Sequence, residues 1–376
     1  MPANKKHHFV PRFHLKKFSS DGKSINLLNI PSNKVIIDAN LTNQCYKNYF
    51  YGGDDKIEKS LGLIEGAAAK VFKDIIESST FPKRYSKEHS NLLIHVLIQH
   101  ARTSYAAEFL DETINNLAKH VIVSNNRIIQ EDIDKVRITI NNGGSLSVGI
   151  AALKWHLASD LHYKIVVCKQ HSEFIMSDNP AIYYNQLFEK MDYLSAIGIV
   201  CKGLQIFIPL SPTHLLIFYD QACYKVGSKN SDLVILKDQA DVDAINILQV
   251  VNASKNIYFN SANAAQISRL RSSFGLRRSE KSKMMIQPSW ETEGERAELV
   301  ISSKVSNKTG LKLGFIKPLK NAERFMAELR KSKNHPAIFP RNQQLLEDDR
   351  EYQEAVKNKL NSPGGFFEFV RNKYQS

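Results

Sequence analysis

The sequence predicts an α+β fold: a helical N-terminal half packed with a mainly antiparallel β-sheet, followed by a C-terminal helical appendage. Three observations carry that expectation. Between Asp55 and Ser78 the apolar residues Ile57, Leu61, Ile64, Ala68, Val71 and Ile75 recur at spacings of three and four, which gathers them on one helix face. Between Tyr163 and Phe259, short β-branched or aromatic runs are punctuated by Pro, Gly and Asn, as strands joined by turns are. Beyond Arg269 a burst of cations marks a boundary, and after it the helical pattern returns in two charged stretches.

Taken in order, Ser24–Ile30 and Lys34–Ile37 are apolar-rich runs around Pro31-Ser32-Asn33, the signature of a hairpin. The helix over 55–78 follows, with Asp54 or Asp55 as its cap. A second helix begins at Ser86, runs through Leu92, Leu93, Val96 and Leu97 to about Leu110, and continues or restarts through Leu117. Gly143-Gly144 closes the helical part, and Trp155 opens a short helix leading to the strands 163–167, 173–176, 204–208, 215–219 and 257–259. These elements form a core of residues 1–268, helical over about 50–160 and β-rich over about 161–265 together with the N-terminal hairpin. A basic, polar linker spans 269–320. Helices over 321–331 and 343–360, jointed at Pro336 and Pro340, make up the extension 321–376.

Composition narrows the function classes. The chain has 376 residues, 43% hydrophobic and 24% charged, which is ordinary for a globular protein and argues against general disorder. Its 51 Lys and Arg against 38 Asp and Glu leave a net charge of +13, which favours a polyanionic partner, RNA or DNA. Cys45, Cys168, Cys201 and Cys223 are scattered, so neither a zinc ribbon nor a disulfide scaffold is indicated. No secretory leader and no apolar run of about 20 residues is evident, so a cytoplasmic protein without a membrane partner is expected.

Four clusters are candidates for chemistry. Lys6–Phe18 packs three histidines and four cations into an apolar alternation, and His7, His8 and Arg12 beside Pro11 suit a metal or a phosphate. Glu58 and Glu65 lie two turns apart on one helix face next to Gly62, Gly66 and Ala69, where carboxylates ligate a divalent metal, act as acid and base, or sit solvated beside Lys59. Gln99 and Arg102 share a face with His95; the arginine needs an anion, either Glu58 or Glu65 or a substrate phosphate. Ser177-Asp178-Asn179-Pro180 is a turn by composition, and a strand end is also where a rigid scaffold presents a catalytic Asp178 beside a substrate-binding Asn179. The run 269–283 holds six cations and one acid, of which Arg269, Arg271, Arg277, Arg278 and Lys281 are candidate nucleic-acid contacts.

The stretch HHFVP resembles the first strand of the ββα-metal nucleases, and Asn40–Asn48 loosely resembles their downstream element, although no histidine follows at a suitable place. A wider resemblance covers about residues 4 to 265. His7, His8, Val10, Pro11, Leu15 and Phe18, the Arg102-Thr103 pair, Ser177–Pro180 and Pro209–Pro212 together resemble the mainly microbial family catalogued as domain of unknown function 4238. That resemblance implies a bacterial anti-phage defence effector answering a phage-encoded trigger. Joined to the residue reading, it predicts a metal-dependent nuclease or related phosphate-processing enzyme using Mg or Mn: His7 and His8 ligate metal or act as base, Glu58 and Glu65 or Asp178 complete the catalytic metal shell, with His7, His8 and Asp178 the named metal ligands, and Arg12, Gln99, Arg102 and Asn179 hold the substrate. The alternative is a non-catalytic nucleic-acid-binding sensor whose polar motifs are structural. The two differ in one observation: catalytic residues converge in an open cleft, whereas structural ones satisfy each other in the interior.

Overall fold

The computed structural model of the chain describes residues 5–53, 56–124, 130–168, 172–191, 194–261, 266, 269–270, 272, 282–292, 295–304, 309–332, 335–336 and 338–375. Strand β1 (Lys6–His8) leads into the short helix α1 (Arg12–Lys16), and β2 (Ser24–Asn29) and β3 (Lys34–Asn40) form the expected hairpin. A single 3-10 turn precedes β4 (Tyr46–Asn48), which pairs antiparallel with β1, His7 facing Lys47 and His8 facing Tyr46. The stretch that resembled the downstream element of the ββα-metal nucleases is therefore a turn and a strand.

Helices α2 (Lys56–Ser78) and α3 (Lys87–Ala101) bury the faces their apolar spacing marks out, including Leu61, Ala68, Val71 and Ile75 on α2. The second helix does not run on to Leu110. It stops at Ala101 and restarts as α4 (Ser104–Ser124), because Arg102 closes α3 and the Thr103 hydroxyl accepts the Ala106 amide, capping the new helix. A four-residue helix α5 (Gln130–Ile133) follows, and Gly143-Gly144, expected to end the helical part, instead opens α6 (Gly143–Lys154).

The β-rich part comprises β5 (His162–Val167), β6 (Met176–Ser177), β7 (Ile182–Tyr184), β8 (Gln205–Pro209), β9 (His214–Tyr219), β10 (Tyr224–Val226) and β11 (Leu233–Ile235), then helix α7 (Gln239–Asn252) and β12 (Asn256–Phe259). Five strands order as β11-β5-β9-β8-β7, antiparallel except for the parallel β11–β5 pair. Alternate residues of β9 serve two cores. Leu215, Ile217 and Tyr219 join α7, while Leu216 and Phe218 join α2 and α3, so the sheet is buried on both faces. A second sheet, β3-β2-β12-β6, carries the N-terminal hairpin beside the Ser-Asp-Asn-Pro turn.

Part of the expected linker is structured, since β13 (Ser282–Thr292) and β14 (Glu295–Lys304) pair as an antiparallel hairpin. Beyond it, β15 (Ile316–Pro318) pairs with β10, and the C-terminal helices are α8 (Lys320–Leu329), α9 (Gln343–Lys357) and α10 (Phe366–Gln375). They dock firmly. Ala322, Met326 and Leu329 complete one core, and Arg341 grips Asp160 at 2.7 and 2.9 Å while donating to the carbonyls of Leu157, Ile199 and Cys201. No helix among the described residues is long and apolar enough to cross a membrane.

Candidate functional site

The first motif is buried because its backbone is captured from α3. Arg102, 1% exposed, donates to the Glu65 carboxylate at 2.6 Å, to the His8 carbonyl at 2.6 Å and to the Tyr51 hydroxyl at 3.2 Å. One helical turn earlier, the Gln99 amide donates to the Phe9 carbonyl at 2.9 Å. His7 stacks on Tyr51 with ring centroids 5.6 Å apart, and its Nδ1 accepts the Tyr51 amide, while its Nε2 is buried. Glu58 lies 3.9 Å from the same Nδ1. Five of the expected residues, His7, His8, Glu58, Glu65 and Arg102, thus come together, with His7 and Arg102 buried and His8, Glu58 and Glu65 partly exposed.

The third histidine of the segment anchors it to the sheet, as His14 Nε2 donates to the Pro209 carbonyl at 2.6 Å, at the proline-rich end of β8. Burial pulls His14 down to about 4, and burial followed by the charges of Arg12, Arg102 and Lys6 pulls His8 to about 4 against its bond to the Gln44 carbonyl, so both are neutral at pH 7. Arg12 itself is exposed. Gln99 and Arg102 hold protein carbonyls rather than opening toward solvent.

Asp178 plays a comparable part at the other motif. Its two oxygens accept the amides of Ser254 and Lys255 at 2.8 Å and of Asn256 at 3.3 Å, fixing the loop between α7 and β12. Burial pushes the carboxyl up to about 6 against the pull of those amides. Asn179 donates to the Asn252 carbonyl and the Ser254 hydroxyl, and Gln249 of α7 bridges Ser177 and Pro180. The turn expected from composition is a clasp.

Between these two structural networks lies a cleft of about 630 Å³. Its walls are Asn43–Lys47 around the start of β4, Ser104, Tyr105 and Glu108 on the first turns of α4, and the clasped loop from Asn252 to Asn256. The floor is fully wired. The Tyr258 hydroxyl receives bonds from Cys45 and Asn256 and donates to Gln44, whose amide reaches the Asn40 carbonyl. Cys45 holds a φ of 49°, a left-handed conformation that costs a non-glycine residue about 1–3 kcal/mol and that turns Gln44 and Tyr46 about the buried thiol. At the rim, Lys6 donates to Asn43 and sits 4.5 Å over the Tyr46 ring, Lys255 is exposed, and Lys47 reaches Glu108 at 3.8 Å.

Sequence reasoning found the residues that build this cleft and missed those that face into it. Asp178 lies in its wall, whereas Glu58, Glu65 and Arg102 are not among the lining residues. Tyr46 and Lys47 lie in the stretch 40–48 that loosely resembled a nuclease element, whereas Tyr105 and Lys255 carry no motif. Of the residues expected to hold Mg or Mn, His7 Nδ1 and both Asp178 oxygens accept backbone amides, and among the described residues no three His, Cys, Asp or Glu side chains gather as a ligand set. Of the basic run, Arg269 lies 3.6 Å from Asp243, while Arg271, Arg277, Arg278 and Lys281 fall outside the described residues.

An α+β core whose His-His strand, Arg-Thr helix junction and Ser-Asp-Asn-Pro clasp surround one polar cleft is a scaffold defined by its motifs. The chain belongs to the family described as Protein of unknown function (DUF4238), which matches residues 6–263. No curated protein and no solved structure matches it.

Proposed function

We propose that this protein is a nucleic-acid-binding sensor of bacterial anti-phage defence, in which the cleft is the recognition site and the shared motifs are its frame. The observation that carries this reading is the division of labour: the motif side chains bond to each other and to the backbone, while an open cleft edged by Lys6, Lys47 and Lys255 lies between them. A chain of net charge +13 has the electrostatics for such a partner. The defence role rests on the family resemblance, and a phage-encoded or phage-exposed nucleic acid is the trigger it would read.

The nuclease reading keeps one specific support. Asp178 lines the cleft and exchanges its proton near pH 6, within the range useful to a general base. Purified protein incubated with tRNA, plasmid and phage genomic DNA, with magnesium, manganese or chelator, separates the two. The sensor reading expects retention of nucleic acid without cleavage, and metal-dependent cleavage would return the nuclease. Failure of the expressed chain to lower phage plating would remove the defence role from either.

A further inference from the structure

Resting on that reading, we infer that the cleft accepts unpaired nucleotides, so that the protein distinguishes a single strand, loop or frayed end from an intact duplex. Two tyrosines from separate elements, both lining the cleft, carry the argument. Tyr46 on β4 and Tyr105 on the first turn of α4 are both half-buried and both line the cleft, so two aromatic residues border the same cavity. A base offers an aromatic ring a stacking face only when it is out of the helix, and stacking on Tyr tolerates any base.

The surroundings fit the rest of a nucleotide. Lys6 already places its ammonium over the Tyr46 ring, Lys255 stands exposed on the facing loop, and Lys47 pairs with Glu108 at the rim where both are nearly half exposed. A phosphate entering there competes with Glu108 for Lys47. Size agrees as well. About 630 Å³ is within the usual span of small-ligand pockets, roughly 300–1,000 Å³, enough for one or two nucleotides. Duplex recognition instead spreads over roughly 1,000–2,500 Å² of protein surface.

The test uses the full chain and fluorescence anisotropy with a labelled dT 12-mer, a labelled rU 12-mer and a blunt mixed-sequence duplex at equal salt. Both single strands should bind at least tenfold more tightly than the duplex. Tyr46→Leu and Tyr105→Leu should each weaken single-strand binding about five- to tenfold, the Phe variants should restore it, and Glu108→Gln should strengthen it two- to threefold. Stacking is also read in the unaltered protein, where a single 2-aminopurine in the dT strand should be quenched on binding. A duplex bound as tightly as the single strands, or 2-aminopurine emission unchanged in the complex, overturns the inference while leaving nucleic-acid binding in place. Absence of binding to all three probes overturns the reading on which it rests.

Discussion

The interior hub around Arg102 and the cleft beside it draw on the same residue types, and they differ in whether those residues are used up. In the hub each guanidinium nitrogen of Arg102 has a protein acceptor. In the cleft the floor is similarly spent, yet lysines and tyrosines stand along its lining and rim. A buried charge is costly unless paired, and the charges of this hub are paired within the protein. In this chain the motif side chains thus tie the frame, and on the proposed reading recognition falls to the segments between the ties.

The hub is broken most severely at its centre. Arg102→Met should destabilise the chain by about 3 kcal/mol or more, because Glu65 keeps its charge and the His8 carbonyl loses its donor in the interior. Urea unfolding measures it, and adding Glu65→Leu should recover part of the loss. A variant within about 0.5 kcal/mol of the parent would mean that Arg102 is not structural.

The second largest effect is acid lability. His14 stays neutral in the fold down to about pH 4, whereas in the unfolded chain it takes a proton near 6.5. The unfolded state thus binds more protons between these values, and His14's contribution, present above pH 6.5, is lost as pH falls toward 4. For a fully buried group this amounts to about 3 kcal/mol over the window. Plotting unfolding free energy against pH for the parent and for His14→Gln should show the variant's slope reduced by one proton, and parallel slopes would contradict the burial of a neutral His14.

Asp178→Asn comes next, at about 1–3 kcal/mol, since one amide oxygen cannot replace two carboxylate oxygens serving three backbone donors. Its melting temperature should fall together with nucleic-acid retention. A variant that keeps the parent's melting temperature but loses activity would move Asp178 from frame to chemistry.

These contrasts also show what the sequence makes readable. The hairpin over 24–40 announces itself through Pro31-Ser32-Asn33, and α2 through its apolar period, since both signals are local. The break at Arg102-Thr103 is hidden, because it depends on a threonine capping amides within a stretch of otherwise unbroken helical pattern. The choice between Glu65 and a phosphate as partner of Arg102 is likewise absent from spacing, for it is made by how α2 meets α3. The cleft is least readable of all. Its walls come from residues 43–47, 104–108 and 252–256, brought together only by strand pairings and by the Asp178 clasp.

The smallest effects separate the cleft from the basic run that follows the core. Lys47→Ala and Lys255→Ala should leave stability within about 0.5 kcal/mol of the parent, since the Lys47 side chain is nearly half exposed and Lys255 is exposed. Each should nevertheless lower single-strand affinity and flatten its salt dependence by about 0.7 in logarithmic slope, the amount expected when one phosphate contact disappears. The same measurement on Arg277→Ala, Arg278→Ala and Lys281→Ala combined asks whether the run adds a second set of contacts. If it does, the losses of slope should add, because the lysines and the run act on different phosphates. If only the run changes the slope, the polyanion is held off the cleft, and the contrast between a closed frame and an open recognition site loses its second half.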